Sequence, residues 1–365
     1  MDTSAPSEDN DGLIREYHRQ IAKKMLLLII SVAGIILTVG LLSVSTFDGI
    51  SLSQAYKIIW GHINGVEYDY GTQSRLWWAD RYIWNRALPR ATVAILAGAS
   101  LAACGTLMQS VLSNPLADPY STGISSGACF GAVAAIIVGI SFSSMAGEAG
   151  IVTNAFIGAL IPAIILIVIS ERINVTPATM ILIGTAISYF FNSMVTFMMV
   201  TTDADTLKSA YLWQIGTFDG LTWSSVPIMF VVTVLGSACV VWLSSKLNVA
   251  SLGDNAAISL GLDIKNFRIL CLILMSIMTA AVISFTGIIG FVGIVAPHIV
   301  RIVVGTDNRF VVPISMSVGA LLLLVADYIA LSYADLPVGV IMALIGSPIF
   351  FILIVWQRKS MGAIY

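Results

Sequence analysis

The residue in this 365-residue chain best placed to do chemistry is an aspartate inside an apolar run, Asp327 in LLLLVADYIALSY. On insertion scales an acid at the centre of a membrane helix costs about 2.5–3.5 kcal/mol, so it marks either a function or a specific partner. Two readings stand. Asp327 is a proton or cation site, or it is a structural acid that accepts bonds from a neighbouring helix or lies near the outer interface. No second carboxylate and no lysine lies well inside an apolar span to act as a relay, which favours the structural reading. The run Gly287-Ile288-Ile289-Gly290-Phe291-Val292-Gly293 places glycine at every third position but lacks the Lys and Ser/Thr of a phosphate-cradling loop, so it reads as a packing or bending element. No G-x-x-x-x-G-K-[ST] occurs, which excludes ATP binding by that route, and no Ser-His-Asp or H-E-x-x-H arrangement is visible. His18, His62 and His298 are far apart and give no metal-ligand spacing. Cys104, Cys129, Cys239 and Cys271 all fall in apolar stretches and read as small buried hydrophobes rather than disulfide partners or ligands. Catalysis by this chain is not expected.

The elements that position these residues follow from composition. Hydrophobic residues make up 58% of the chain and charged residues 10%, against roughly 25% charged in soluble domains. Mean hydropathy is +0.93. The chain is therefore a polytopic, all-α membrane protein, and with a net charge of −2 and no basic stripe it is not expected to bind nucleic acid. Between Pro89 and Ala132, two uncharged stretches, Ala91–Leu112 and Ile124–Ile140, flank a polar knot, Ser113-Asn114-Pro115-Leu116-Ala117-Asp118-Pro119. At about 1.5 Å per residue each flank crosses, or nearly crosses, about 30 Å of hydrocarbon. Gly123, Gly127 and Gly131 fall four apart on one predicted helical face, a spacing that lets two helix backbones approach closely in lipid.

Ten spans are predicted: Met25–Thr46, Arg90–Leu112, Gly123–Phe142, Ile151–Ser170, Ala178–Thr201, Ser225–Ser245, Ile269–Thr286, Ile288–Val304, Val311–Tyr333 and Val338–Trp356. The polar, acidic start followed by Arg15, Arg19, Lys23 and Lys24 is not a cleavable signal pattern, so Met25–Thr46 reads as a retained first helix with its basic flank in the cytoplasm. With both termini cytoplasmic, only Lys57, Arg75, Arg81, Arg86, Arg90 and Lys208 of the 18 Lys and Arg lie outside. That asymmetry follows the positive-inside rule, and an odd span count would weaken it by moving Arg358 and Lys359 outside. The predicted organisation is a tail over 1–24, one transmembrane domain over 25–357 and a tail over 358–365, with Met1–Gly12 disordered.

Three segments outside the spans are long. Phe47–Leu88 carries Tyr68, Tyr70, Trp77, Trp78, Tyr82 and Trp84, residue types that favour a membrane interface; the second is Thr202–Trp223. The third, Lys246–Arg268, reads as two short helices with Asp254 at an N-cap, Ala256, Ala257, Leu260 and Leu262 at helical spacing, and a stop at Gly261. From pattern alone it either lies on the membrane surface or is a docking knob for a cytoplasmic partner.

Several blocks, in order, resemble one family. PRATVAILAGASLAACGTLMQSVLSNPLADPYSTGISSGA is similar to the second and third helices of permeases from binding-protein-dependent ABC importers, in the FecCD-like family for iron–siderophore, haem and cobalamin uptake. GIIGFVGIVAPHIVRIVVGTDNRFVVPISMSVGALLLLVAD resembles its other hallmark block, LPVG at Leu336–Gly339 its last outer turn, and WQIGTFDG at Trp213–Gly220 its outer helix region. LGDNAAISLGL resembles its cytoplasmic coupling segment, and the likeness runs from Met25 to Gln357.

This resemblance implies a cobalamin-importer-like fold of ten helices in the plasma or inner membrane, working as a homodimer with the translocation path at the dimer interface. Two copies of a separate ATPase would dock beneath, holding ATP–Mg, and a substrate-binding protein would dock outside; this chain would bind no cofactor or metal of its own. The implied cargo is a metal chelate, ferric siderophore first, with cobalamin or haem as alternatives. Coupling to the ATPase would fall on Leu252, Gly253, Asp254, Ala256, Leu260 and Gly261. The fifth span and the adjoining Thr176, Pro177, Ala178 and Thr179 would form the path and its gate. Thr185, Ser188, Asn192 and Ser193 fit a water-exposed face of that span, or ordinary interhelical hydrogen bonds. Two outer features depart from the family. Its Arg-x-Pro-Arg is here Arg86-Ala87-Leu88-Pro89-Arg90, and Leu331 stands where many members carry Arg. Arg86 and Arg90 remain as candidates for docking the binding protein. An ion-coupled secondary transporter using Asp327 is the rival reading.

Overall fold

Once water is excluded, a backbone can satisfy its N–H and C=O groups only within its own helix or against buried protein. The computed structural model, which describes residues 7–45, 47, 49–140, 147–173, 175–333 and 336–362, accordingly contains helices and no strands among those residues. The helices are α1 (Ser7–Ser45), α2 (Leu52–Ile63), α3 (Tyr70–Tyr82), α4 (Leu88–Val111), α5 (Ile124–Val133), α6 (Glu148–Arg172) and α7 (Pro177–Val200). They continue with α8 (Ala204–Ile215), α9 (Val226–Ala250), α10 (Asp254–Ser259), α11 (Ile264–Thr286), α12 (Val292–Val304), α13 (Asn308–Ser332) and α14 (Val338–Gly362). Seven helices are long and apolar enough to cross a membrane, and three shorter apolar ones, Ile124–Val138, Val292–Val304 and Val338–Ile352, fill the remaining predicted spans.

The structure corrects several boundaries. Helix α1 begins at Ser7, so residues 7–12, expected to be disordered, are helical and continuous with the first span, while residues 1–6 lie outside the described residues. Gly123 is not on the α5 helix; it caps the preceding 3-10 turn at φ +88° and faces Ile187 of α7, whereas Gly127 and Gly131 do pack helix on helix. The third predicted span ends early, through a π turn over Ala134–Val138 to Gly139, and its predicted end at Phe142 lies outside the described residues. The eighth is helical only from Val292. Gly287–Phe291 is irregular backbone inside the bundle, with Phe291 at φ +69°, and the Tyr120 hydroxyl donates to the Ile289 carbonyl at 2.9 Å. Buried protein thus satisfies what the broken helix leaves open.

Helix α4 is the axis of the bundle. Of the apolar window containing it, 83% is buried, against 22% for α7. Its small residues explain why: a Cβ at Gly98 would strike the Gly319 carbonyl of α13, and one at Gly105 the Gly293 carbonyl of α12. The α5–α6 pair is built likewise, Gly127 lying on the Gly158 carbonyl and Gly131 on that of Asn154. In lipid, this close approach supplies the van der Waals contact that apolar burial cannot. A third junction joins Gly216, Gly287 and Gly339, where side chains would hit the carbonyls of Ile288, Trp213 and Ile215 respectively. There the Thr217 N–H donates to the Thr286 carbonyl (2.8 Å) and the Gly339 N–H to the Gly216 carbonyl (3.1 Å).

Successive membrane helices alternate in direction. One end of the bundle therefore holds α10 and the α4–α5, α6–α7 and α12–α13 connections, and the other holds α2, α3, α8 and the α13–α14 turn. Cross-links at each end agree: Asn248 to Asp307 (2.7 Å) and Ser113 to the Ala250 carbonyl (3.2 Å) at the first, Trp223 to the Trp84 carbonyl (2.7 Å) at the second.

Candidate functional site

The segment Lys246–Arg268 contains one short free helix, not two. Lys246–Ala250 completes α9, α10 spans Asp254–Ser259, and the residues from Ile264 onward are the first turns of α11. Gly253 is the N-cap, at φ +93°, and Gly261 follows at φ +83°, so both ends of α10 turn through backbone that favours glycine. Asp254 is therefore the first helical residue and not the cap predicted for it. Ala257 is buried beneath the helix, while Leu252, Ile258 and Leu260 stand 63%, 58% and 64% exposed and form its outward face. The result is a knob with an exposed apolar face.

Arg268 holds this knob in place. Its side chain is 6% exposed, Nη2 donates to Asp254 Oδ1 at 2.6 Å, and Nη1 donates to the Val175 carbonyl at 3.0 Å. One guanidinium thereby bridges α10 and the residue just before Thr176, the N-cap of α7. Thr176 Oγ1 accepts from the Thr179 N–H (3.3 Å) and shares a hydrogen bond with the Thr179 hydroxyl (2.9 Å), with Pro177 and Ala178 in the intervening first turn. Lys265, one turn before Arg268, donates to the Glu171 carbonyl at the end of α6 (2.8 Å). Between α10 and this connection lies a cavity of about 490 Å³ whose lining includes Val175, Thr176, Asp254, Ile258 and Arg268. Sequence reasoning had counted Arg268 only as a positive-inside charge. Its signal was weak, a lone basic residue in the apolar pattern that opens α11.

Helix α7 is the least covered of the central helices. The Thr185 and Ser188 hydroxyls bond back to the carbonyls of Ile181 and Gly184 on their own helix (2.8 and 2.9 Å), as Ser193 does to Tyr189 (2.8 Å). Among the described residues none of the three bonds to another helix. Thr185, Asn192 and Ser193 lie on an exposed face beside Tyr189 (73% exposed) and Phe197 (69%).

At the opposite end, Asp327 is fully buried and Arg90 grips it in bidentate fashion, Nε to Oδ2 at 2.9 Å and Nη2 to Oδ1 at 2.8 Å. A desolvated carboxylate held by a planar fork is a structural pair tying α4 to α13. Arg90, 12% exposed at its side chain, is thus engaged by Asp327 although it also lines a cavity of about 620 Å³, on which Arg86 is exposed together with Asp219 and Leu331. His62 Nδ1 contacts Asp80 at 2.8 Å and its ring stacks on Trp84 at 4.0 Å, fastening α2 to α3.

The chain as a whole is similar to known proteins. A cobalamin import system permease of Halobacterium salinarum is 39% identical over 269 residues, which are 73% of this chain and 71% of that protein. An Fe(3+)-citrate import system permease of Bacillus subtilis is 32% identical and covers 92% of this chain and 97% of its own length. Among solved structures, an inward-facing metal-chelate type ABC transporter superposes with a TM-score of 0.74 at 29% identity, covering 91% of this chain and 97% of that one. The profile of the FecCD transport family matches residues 26–356. With its multi-pass architecture and a match over nearly its whole length, the chain belongs to the FecCD transport family.

Proposed function

We propose that this chain is the membrane-spanning permease subunit of an ATP-binding cassette importer for a metal chelate, with both termini in the cytoplasm. Two copies pair along the uncovered α7 faces and enclose the path. Two ATPase subunits seat on the Leu252–Gly261 knobs, and a binding protein delivers cargo to the end that carries Arg86. ATP closure moves α10, and the Val175–Thr179 connection follows. The observation that carries this reading is the exposed apolar turn of α10, joined through one guanidinium to the start of the uncovered helix. A ferric siderophore is the first expectation for cargo, supported by the broad coverage of the ferric citrate permease; cobalamin, carried by the 39% identical relative, is the second, and haem the third. The Arg90–Asp327 pair argues against ion coupling through Asp327, because its carboxylate already has a full-charge partner and no exposure.

The test is ATP hydrolysis by the reconstituted complex with its ATPase, with and without binding protein loaded in turn with ferric siderophore, cobalamin or haemin. Stimulation by one loaded cargo is expected, with loss of that stimulation in Gly261→Trp, which forces a bulky side chain into left-handed backbone at φ +83°. Uptake driven by a proton gradient with no ATPase bound refutes the proposal.

A further inference from the structure

A second cavity at the α10 end, of about 520 Å³, is built for an anion. It lies within the size range of small-molecule sites, roughly 300–1,000 Å³. Arg301 of α12 points its guanidinium at neutral acceptors only, Gln109 Oε1 at 2.6 Å and Ser110 Oγ at 3.5 Å. None of the ion pairs among the described residues includes Arg301, and no carboxylate lines the cavity. His298, one turn earlier, is 8% exposed, lines the same space and makes no hydrogen bond among the described residues. In either neutral tautomer its ring still offers one N–H donor. The Asn114 amide and the Thr306 hydroxyl add further donors to the wall, whereas the Ser113 hydroxyl already donates to the Ala250 carbonyl.

The neighbouring acid does not neutralise this site. Asp307 bonds Asn248 and forks with Arg309, whose guanidinium holds the carboxyl well below the usual carboxylate range, and it lines a separate cavity with Lys24. A buried guanidinium without a counter-charge is costly, and a planar fork beside an imidazole suits a phosphate oxyanion best. The rim adds the exposed apolar side chains of Leu252 and Ile302, 63% and 44% exposed.

We propose that this cavity binds a phosphate-type oxyanion, as the headgroup of an anionic phospholipid from the adjoining leaflet or as free phosphate. Because Ser251 and Leu252 form part of its wall, an occupant stiffens the turn that leads into α10.

The experiment measures the thermal midpoint of the detergent-purified protein against phosphatidylglycerol, phosphatidylcholine and inorganic phosphate. Phosphatidylglycerol raises the midpoint and phosphatidylcholine does not; equal protection by phosphate alone identifies the free ion as the source, and its absence identifies the lipid. Arg301→Gln abolishes the response but also cuts the bonds to Gln109 and Ser110, so Ser113→Asp is the decisive variant. Ser113 sits at φ +46°, where Asp is well tolerated, and the new carboxylate occupies the cavity and leaves Arg301 with both its bonds, at the loss of the single 3.2 Å bond to the Ala250 carbonyl. Ser113→Asp is expected to keep the fold and bind phosphatidylglycerol about tenfold or more weakly, a loss of about 1.4 kcal/mol. An equal response in wild type and Ser113→Asp overturns the proposal. So does protection by the ATPase subunit alone, which gives the cavity to an acidic side chain of that partner.

Discussion

Asp254→Asn probes the link between α10 and the rest of the protein with little change of shape. The wild-type contact is a 2.6 Å charge-assisted bond from a guanidinium only 6% exposed to a carboxylate 33% exposed. Such bonds contribute about 1.5–3 kcal/mol, and the partial exposure of Asp254 places the loss at the lower end, about 1.5–2 kcal/mol. The amide keeps an acceptor but not the charge, and Arg268, whose Nε already lacks a partner, retains only the Val175 carbonyl at full strength. At about 1.4 kcal/mol per tenfold, local opening of α10 rises roughly 10- to 30-fold. The N–H groups of Ala257, Leu260, Gly261 and Leu262, which bond to the carbonyls of Gly253, Ala256, Ile258 and Ala257, report it by hydrogen exchange. Protection at these amides falls by that factor, and transport per ATP falls with it, while Thr179 and Met180 stay protected because Arg268 still holds Val175. Arg268→Gln loosens both sets together. If the α10 amides in Asp254→Asn stay within about twofold of wild type, the pair does not hold the helix and the reasoning fails.

Arg90→Gln leaves the fully buried Asp327 carboxylate without its cation and is expected to cost about 3–5 kcal/mol. Thermal stability in detergent measures it, and Arg90→Gln combined with Asp327→Asn recovers most of the loss; an unaltered single variant contradicts the pairing. Gly105→Ala drives a methyl into the Gly293 carbonyl and destabilises by about 1–3 kcal/mol, whereas Gly290→Ala, with no heavy atom within 4 Å of its new Cβ, stays within about 0.5 kcal/mol. Equal melting of those two variants contradicts the close α4–α12 contact.

The ten apolar segments were legible because spanning lipid leaves a chain few options, and each segment declares itself by length and lack of charge. The turn that carries α10 was legible in part. Gly253 and Gly261 bracket α10 as local backbone geometry requires, yet the sequence pattern split Lys246–Arg268 into two helices and did not say which side of the first faces outward. Ala256, Ala257, Leu260 and Leu262 satisfy helical spacing equally well with either face outward; only the position of α9 and α11 buries Ala257. The break at Gly287–Phe291 was anticipated as a bend, but its depth depends on Tyr120 and Gly216, which arrive from distant parts of the chain.

By itself the sequence determined the membrane class, the apolar helical segments and the family, because each is written in local composition or in contiguous motifs. Only the tertiary structure decided that α4 is the buried axis and α7 the uncovered face, although both are apolar helices of 24 residues. It also gave Asp327 its partner 237 positions away, joined α10 to Val175 through Arg268, and gathered Arg301 and His298 around one cavity. In lipid, apolarity does not rank one helix above another for burial. Small-residue contacts and a few buried charges choose the neighbours, and those choices pair residues that no sequence window contains together.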